Sequence, residues 1–372
     1  MLSKTSSGAG IFESGDPLAT FVKSKGMSGT GIFEKRGQLK ARAPAKLILS
    51  GEHAVVYGMP AIAMAVNRYA ESSILTHGSP NIFFNFLNLK YAKSITLSTL
   101  MGYKKRIQEQ YHAFLEGQCS IREVLKMPFE LLQFTVTNLF ETLNIPLAQG
   151  VEIRSSSNIP MGCGMGSSAA AIMSTLFALS HFYKLDIDPI RFISLGREAE
   201  NLQHGRSSGL DLQLVMRGGC LKFQEGQIET RELPAFPIVL AHSGKPECTT
   251  GQCVTVVSSH FKQSDIAKHF AAVTLLLDQA IAQNDSEAII QGIRENHRLL
   301  MQIGVVPEKV QNFITAIEKE GGAAKICGAG AVSGQAGGII WVVSKTNIVK
   351  LLRQYGYGSY TVEGDKFGTR IV

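Results

Sequence analysis

A glycine- and serine-rich loop is the part of this chain whose residue types most clearly suggest chemistry. Glycines alternate with other residues at positions 162, 164 and 166, and two serines lead into an apolar, alanine-rich run. Glycines let backbone N–H groups approach a ligand, and a helix start offers unpaired donors at the positive end of its dipole. The loop is therefore predicted to cradle the phosphates of a nucleotide, although a plain turn with a serine N-cap is the alternative. The residues expected to form the cradle are Pro160, Met161, Gly162, Cys163, Gly164, Met165, Gly166, Ser167 and Ser168.

A lysine inside an apolar strand is the second candidate. Lys46 lies within the strand predicted over residues 43–50. A buried ammonium group costs several kcal/mol unless it is paired, so Lys46 either has an anionic partner or reaches water along its stem. Glu52 and His53 follow a glycine at the end of this strand. They form either an ordinary polar turn or part of a site.

Two carboxylates in the segment 200–211 are the third candidate. Glu200 lies at the edge of the apolar stripe of a helix that is predicted to begin at Pro189 and to stop at Gly205. A carboxylate that points toward protein needs a partner. Asp211 follows a loop rich in glycine and serine, and it is either a hydrogen-bond acceptor that closes the loop or a base directed at a substrate hydroxyl. A glycine turn at 327–331 is a weaker candidate for contact with a ligand.

The elements that must position these residues follow from hydrophobic periodicity. Strands are predicted over 43–50, 54–57, 61–66, 151–154, 238–241, 323–327 and 338–343, with further strands in 71–100 and a pair near 359–371. Helices are predicted over 131–143, 168–183, 189–205, 263–282, 286–303, 308–320 and 346–354. This mixed order favours an α+β fold. An extension is expected at 1–40. The proline-containing segment 234–237 divides the rest of the chain into an N-terminal domain at 41–233 and a C-terminal domain at 234–372.

Composition excludes several classes of function. The net charge of +7 comes from 37 basic and 30 acidic residues, and no basic run is interleaved with aromatic residues. An anionic small molecule is therefore a better partner than a nucleic acid. No apolar run reaches 18 residues and no secretory leader is seen, so neither a membrane span nor export is expected. The six cysteines are scattered without zinc spacing, which predicts free thiols in the cytoplasm.

The motifs occur in an order that resembles the GHMP kinase superfamily and, within it, the mevalonate kinase family. The resemblance rests on Lys46, on the Gly-Glu-His-Ala-Val-Val-Tyr-Gly run at 51–58, on the loop at 162–169 and on the segment 200–211. It covers about residues 41–372. It implies a two-domain fold, with an N-terminal half like domain 2 of ribosomal protein S5 and a ferredoxin-like C-terminal half. The active site would lie between the two halves.

The resemblance also implies a role for each candidate residue. The glycine loop would wrap the phosphates of ATP, and Ser168 and Glu200 would bind Mg²⁺. Asp211 would accept the proton of the substrate hydroxyl, and Lys46 would pair with it and stabilise negative charge during transfer. The positions expected to contact the substrate are Glu52, His53, Thr250 and Gly330.

The expected activity is ATP- and Mg²⁺-dependent phosphorylation of the primary hydroxyl of mevalonate or a related hydroxy acid, giving phosphomevalonate for isoprenoid precursors. The alternatives are a sister kinase for phosphomevalonate or a sugar, and a catalytically silent ligand sensor. The presence of Lys46, Ser168, Glu200 and Asp211 speaks against the sensor, because a protein that only binds needs no base and no metal ligands. Dimers are common in the superfamily, so a homodimer is one expected state.

Overall fold

The structure is a computed structural model that describes residues 38–372. Most of the extension predicted at 1–40 lies outside these residues. The first strand, β1, begins at Leu39, earlier than the start predicted at residue 43. The described strands are β1 Leu39–Ser50, β2 Ala61–His77, β3 Ile82–Phe86, β4 Tyr91–Ile95, β5 Gly150–Ser157, β6 Cys220–Gln224, β7 Gln227–Arg231, β8 Ile238–His242, β9 Ala323–Cys327, β10 Ile339–Val343, β11 Gly358–Val362 and β12 Arg370–Ile371.

Ten α-helices accompany these strands in the described part of the chain. They are α1 Leu97–Leu115, α2 Glu130–Thr142, α3 Ser167–Phe182, α4 Pro189–His204, α5 Leu210–Arg217, α6 Thr250–Gln263, α7 Ile266–Ala282, α8 Ser286–Gln302, α9 Glu308–Lys319 and α10 Val349–Tyr355. None of the helices within residues 38–372 is both long and apolar enough to cross a membrane.

The first sheet has eight strands and contains the N-terminal strand β1. Its main order is β12-β1-β2-β5-β3-β4, while β6 pairs with β2 and β7 pairs with β6. The pairing of β3 with β5 is parallel, and the other pairings are antiparallel. Helix α3 packs against β1 and β2. Because its residues 169–171 are alanines, the helix can lie close to the sheet that carries Lys46.

The second sheet has four antiparallel strands in the order β11-β8-β10-β9. Helices α8 and α9 pack against β9, and α7 packs against α8 and also reaches β1. The buried apolar residues of both sheets belong to continuous clusters, so the strand ends that carry the polar candidates are held by rigid cores. The predicted α+β fold is confirmed.

The end of the chain returns to the first sheet. Ala41 of β1 pairs with Ile371 of β12. Just before β12, the Asp365 carboxylate accepts hydrogen bonds from the Tyr69 hydroxyl at 2.6 Å and from the Arg370 guanidinium at 2.9 Å. The domain boundary at 234–237 stays a prediction; this segment connects β7 of the first sheet to β8 of the second.

One sequence-based strand assignment was wrong, and several elements were not predicted. Residues 54–57 form a 3₁₀ turn and not a strand, because Gly51 and His53 take left-handed backbone conformations that turn the chain away from the sheet. The further strands expected within 71–100 are present, as the end of β2 and as β3 and β4. Helix α1, which was not predicted, follows them, and Thr96 caps it by accepting the N–H of Thr99. The helix predicted over 263–282 is present as α7, Ile266–Ala282, whereas α6, which precedes it, was not predicted.

Candidate active site

Lys46 and Asp211 form an ion pair where β1 faces the start of α5. The Lys46 Nζ lies 3.0 Å from Oδ1 of Asp211, and the side chains are 6% and 27% exposed. The pair therefore places a cation and a carboxylate at the wall of a cleft, with the carboxylate still reachable. The backbone N–H of Lys46 also donates to the carbonyl of Met165 at 3.0 Å, which fixes the glycine loop against β1.

The glycine loop has the backbone conformation that its sequence predicts. Gly162, Gly164 and Gly166 all have left-handed φ values, of 72°, 91° and 67°. The first hydrogen bond of helix α3 runs from the Ala170 N–H to the Gly166 carbonyl at 3.0 Å. The N–H groups of residues 167–169 come before this bond and have no partner within the helix, so they remain available to an anion.

Close packing also requires glycine in this loop. A Cβ on Gly164 would lie 2.4 Å from the Cys327 carbonyl oxygen, and one on Gly166 would lie 2.6 Å from Cγ of Lys46. The carbonyl of Cys163 accepts the N–H of Ile339 at 3.2 Å. The loop is thus seated between β1 and the turn after β9, and it contacts both sheets.

Glu200 is a buried carboxylate that is hydrogen-bonded to a serine hydroxyl. Helix α4 carries it and begins as predicted, with Asp188 accepting the N–H of Arg191 at 2.9 Å. The residue is 2% exposed, and its Oε2 accepts a hydrogen bond from the Ser207 hydroxyl. Burial first, and then the negative charge of Asp211, raise the pKa of Glu200 to about 7. A cation bound by Glu200 would relieve both effects.

The neighbouring groups fit a hard divalent cation. The Ser168 hydroxyl lies 3.3 Å from Nε2 of His204, and His204 is one turn after Glu200 on α4. Ser168 therefore faces the side of α4 that carries Glu200. Within residues 38–372 no group of three or more His, Cys, Asp or Glu side chains could hold a metal ion. A site with two or three oxygen ligands suits Mg²⁺, which keeps several of its waters and binds substrate phosphates.

His204 is a site residue that the sequence analysis did not single out. Burial lowers its pKa, so the neutral ring is favoured beside Ser168. Its position four residues after Glu200 on a predicted helix was the available signal, since residues at that spacing share a face.

Glu52 is held by Lys325, a second residue that was missed. Lys325 lies on β9, its side chain is fully buried, and it forms an ion pair with Oε1 of Glu52. Burial raises the pKa of Glu52, and the charge of Lys325 opposes that rise. The second oxygen, Oε2, is buried and has no hydrogen-bond partner among the described residues. A lysine within an apolar strand was the available signal for Lys325, as it was for Lys46.

His53, like Glu52, has one buried side-chain atom without a hydrogen-bond partner among the described residues. Its Nε2 lies 3.1 Å from the Ala329 carbonyl, and burial lowers the pKa of the ring to about 4. Because a carbonyl only accepts, Nε2 carries the proton, and the neutral ring leaves a lone pair on Nδ1. Nδ1 is buried without a partner in the described structure. His53 and Glu52 each therefore keep one acceptor atom for a donor group.

The other two residues expected to contact the substrate differ in solvent exposure, since Gly330 is buried and Thr250 is exposed. Gly330 follows Ala329 in the turn, where a Cβ would come within 2.2 Å of the Val305 carbonyl oxygen. Thr250 is exposed and is the first residue of α6. The nearby Lys245, also exposed, lays its stem beside the glycine loop, since a Cβ on Gly162 would be 3.0 Å from its Cε.

Comparison with known proteins places this geometry in a family. The profile described as the GHMP kinases N terminal domain matches residues 130–219, which include the glycine loop, Glu200 and Asp211. The chain is 30% identical over 303 residues to the mevalonate kinase of Thermococcus sibiricus, with 78% of this chain and 86% of that protein covered.

Solved structures confirm the fold. The crystal structure of the Methanococcus jannaschii mevalonate kinase superposes with a TM-score of 0.73 at 22% identity, covering 89% of this chain and all of that one. A Streptococcus pneumoniae phosphomevalonate kinase, solved with phosphomevalonate and AMPPNP, superposes with a TM-score of 0.65 at 16% identity, with 88% and 99% of the chains covered. Because kinases named for different acceptors share it, the fold alone does not select the acceptor.

Proposed function

This chain belongs to the mevalonate kinase family of GHMP kinases, and we propose that it transfers the γ-phosphoryl group of ATP to the primary hydroxyl of mevalonate. The product, phosphomevalonate, is a precursor of isoprenoids. The observation that carries the proposal is the Lys46–Asp211 pair, 3.0 Å apart, beside a loop whose helix-start N–H groups lack partners. Base, cation and phosphate cradle are the parts that phosphoryl transfer requires.

Asp211 is the proposed general base. Its carboxylate accepts the proton of the attacking hydroxyl, and the ammonium of Lys46, 3.0 Å away, holds that carboxylate in position until transfer. Once the proton has moved, the Lys46 charge no longer has a full anionic partner. It is then free to stabilise the negative charge that develops on the transferred group.

The glycine loop and the N-terminus of α3 are proposed to hold the phosphates. The N–H groups of residues 167–169 donate to phosphate oxygens, and the helix dipole adds a favourable field. Mg²⁺ bound by Ser168 and Glu200 would neutralise phosphate charge. Its arrival would also lower the pKa of Glu200, which burial holds near 7 in the free protein.

The acceptor is proposed to bind at the turn that follows β1. The free atoms there, Oε2 of Glu52 and Nδ1 of His53, both accept hydrogen bonds. Mevalonate carries a second hydroxyl besides the one that reacts, and a hydroxyl is a suitable donor. Gly330 lies next to the carbonyl that orients His53, and Thr250 begins α6 nearby.

An assay of ADP release with mevalonate, phosphomevalonate and a panel of sugars tests this function. Turnover should need mevalonate and Mg²⁺ and should stop on chelation. If the enzyme prefers phosphomevalonate or a sugar, the proposed acceptor is wrong, but the proposed mechanism of phosphoryl transfer stands. Tight ATP binding without turnover of any acceptor would identify a ligand sensor and reject the proposal.

Two further expectations accompany the function. All six cysteines are free thiols in the structure, and we propose a cytoplasmic location, where thiols stay reduced. A homodimer is proposed because dimers are common in the superfamily. Light scattering of the purified protein would test it, and a monomer at all concentrations would reject it.

A further inference from the structure

Two thiols face each other at the start of α6. Sγ of Cys248 lies 3.5 Å from Sγ of Cys253, and neither cysteine is part of a disulfide. The proposed mechanism uses neither of them. Their neighbours are Thr250 on one side and the turn that contains Gly330 on the other.

Helix capping explains why the thiols meet. Thr249 is the N-cap of α6, and it exchanges hydrogen bonds with Gln252 in a capping box. Cys248 is then the residue before the cap, and Cys253 is the fourth residue of the helix. Apolar side chains at these two positions commonly touch and fix the angle at which the chain enters the helix. In this chain the contact is made by two groups that can be joined covalently.

We propose that Cys248 and Cys253 form an oxidisable dithiol whose disulfide disturbs the acceptor side of the active site. The modification stands on the thiol geometry alone, whereas its effect on acceptor binding rests on the proposed function. A low-molecular-weight disulfide, such as oxidised glutathione, is the oxidant.

Both sulfur atoms also contact the turn after β9. The N–H of Val332 donates to Sγ of Cys248 at 3.3 Å, and the thiol of Cys253 donates to the Gly330 carbonyl at 3.7 Å. A disulfide has no S–H group, so the second of these bonds is lost on oxidation. The sulfur atoms must also move from 3.5 Å to about 2.05 Å apart. The turn that orients His53 through Ala329 is therefore predicted to shift.

The order of reaction follows from accessibility. Cys248 is partly exposed and Cys253 is buried, and burial followed by the hydrogen bond with Cys248 raises the pKa of Cys253 to about 12. The Cys248 thiolate therefore attacks the small disulfide first and releases one small thiol. The Cys253 sulfur, on losing its proton, then displaces the second small thiol. Two protein thiols are oxidised to one disulfide, the oxidant is reduced to two thiols, and the two cysteine protons end on those thiols.

Mass spectrometry can read this reaction without an activity assay. Trypsin should leave residues 232–262 as one peptide, because Lys245 precedes a proline, and this peptide contains Cys248 and Cys253 but none of the other four cysteines. The full chain is equilibrated in glutathione buffers of increasing oxidation, its free thiols are alkylated, and it is digested. We expect this peptide to escape alkylation and to lose two hydrogen atoms in the oxidising buffers.

Kinetics in the same buffers measure the consequence. We expect the KM for mevalonate to rise on the order of tenfold, since small displacements of positioning groups are costly, and to recover after reduction with dithiothreitol. C248S should keep the activity of the reduced enzyme and lose the sensitivity. C119S, which changes a partly exposed cysteine outside this site, should behave like the unmodified chain.

Two results would overturn the inference. One is full alkylation of the 232–262 peptide in a buffer in which Cys119 already carries glutathione. The other is complete formation of the disulfide without a change in KM. If the reduced enzyme does not phosphorylate mevalonate, the proposed function is rejected. The disulfide can still be tested in that case, because the peptide mass does not depend on turnover.

Discussion

Lys325 of β9 and Glu52 of the turn after β1 form an ion pair that is closed off from water, with side chains 0% and 1% exposed. The pair joins the second sheet to the end of the strand that carries Lys46. Lys325 also lies 3.4 Å from the carbonyl of Ile48, so its ammonium is held by both charge and hydrogen bonding. Because one oxygen of Glu52 is used in this way, the other is oriented toward whatever donor binds there.

Removing one member of this pair should cost more than removing both. K325M leaves the Glu52 carboxylate buried without its cation, and a lost buried partner typically costs about 3–5 kcal/mol. The double variant K325M/E52Q restores neutrality and should recover much of that loss, but not the affinity for mevalonate. Urea unfolding and the KM for mevalonate measure the two effects separately. A double variant as unstable as K325M would refute this account of the pair.

Asp211→Asn should reduce kcat by about 10²–10⁴, the usual worth of a positioned acid–base group. The amide keeps the size of the side chain but cannot take the hydroxyl proton, so ATP affinity should change little. Asp186→Asn is a matched control, because Asp186 is exposed and follows the C-terminal end of α3, the end opposite the glycine loop. Steady-state kinetics and nucleotide titration distinguish the steps. Unchanged kcat in the Asp211 variant would remove it from the mechanism.

Gly164→Ala should weaken ATP binding because of a clash that adds to backbone strain. The new Cβ would meet the Cys327 carbonyl at 2.4 Å, and the φ of 91° already disfavours a side chain. Gly226→Ala is a suitable control, since its φ is 84° but its Cβ would meet nothing within 4 Å. The control should lose about 1–2 kcal/mol of unfolding free energy from left-handed strain, and the Gly164 variant about 1–3 kcal/mol more from overpacking. Equal losses of unfolding free energy in the two variants would show that the contact with the Cys327 carbonyl does not restrict position 164 to glycine.

Acid should destabilise the fold through two buried histidines. Burial lowers the pKa of His53 and of His297 to about 4, from an ordinary value of 6.5. Between these pH values the unfolded chain binds more protons than the folded chain, so stability is present above about pH 6.5 and is lost as the pH falls toward 4. Each histidine should contribute up to about 3 kcal/mol.

The variant His297→Gln tests this pH dependence away from the acceptor site. Its unfolding free energy should fall less steeply between pH 6.5 and 4.5 than that of the unmodified chain. Denaturant titrations at both values, with circular dichroism as the signal, give the comparison. Parallel curves for the two proteins would mean that His297 is not held neutral by burial.

The two buried lysines show what could be predicted from the sequence. Both stand within apolar strands, where an ammonium group needs a partner. The partner of Lys46 came from the family resemblance, which implies Asp211, and the structure has the two side chains 3.0 Å apart. At Lys325 the same pattern shows only that a partner is needed, and nothing in the sequence around it identifies Glu52. Local sequence signals that a charge needs a partner, whereas the partner's identity depends on how distant elements are packed.

The turn at 54–57 shows what local sequence could not provide. Alanine, two valines and tyrosine favour a strand, yet the chain there forms a 3₁₀ turn after the left-handed His53. The ring of Tyr57 stacks on Phe261 of α6 with centroids 4.4 Å apart, a contact between residues far apart in sequence. Packing of this kind overrides local preference and cannot be read from a short window of residues.

The pairing of Ala41 with Ile371 has a consequence for the order of folding. The start of the β1 edge, at Ala41 and Arg42, is paired with residues that a ribosome adds only after every other described element has been made. Contacts this distant in sequence form slowly, and until they form β1 has an open edge at which strands of other chains can add. A fragment that ends before Asp365 would keep that edge, together with Tyr69 deprived of its carboxylate partner. Residues 41–233 are therefore synthesised well before the residues that complete their sheet at the start of β1.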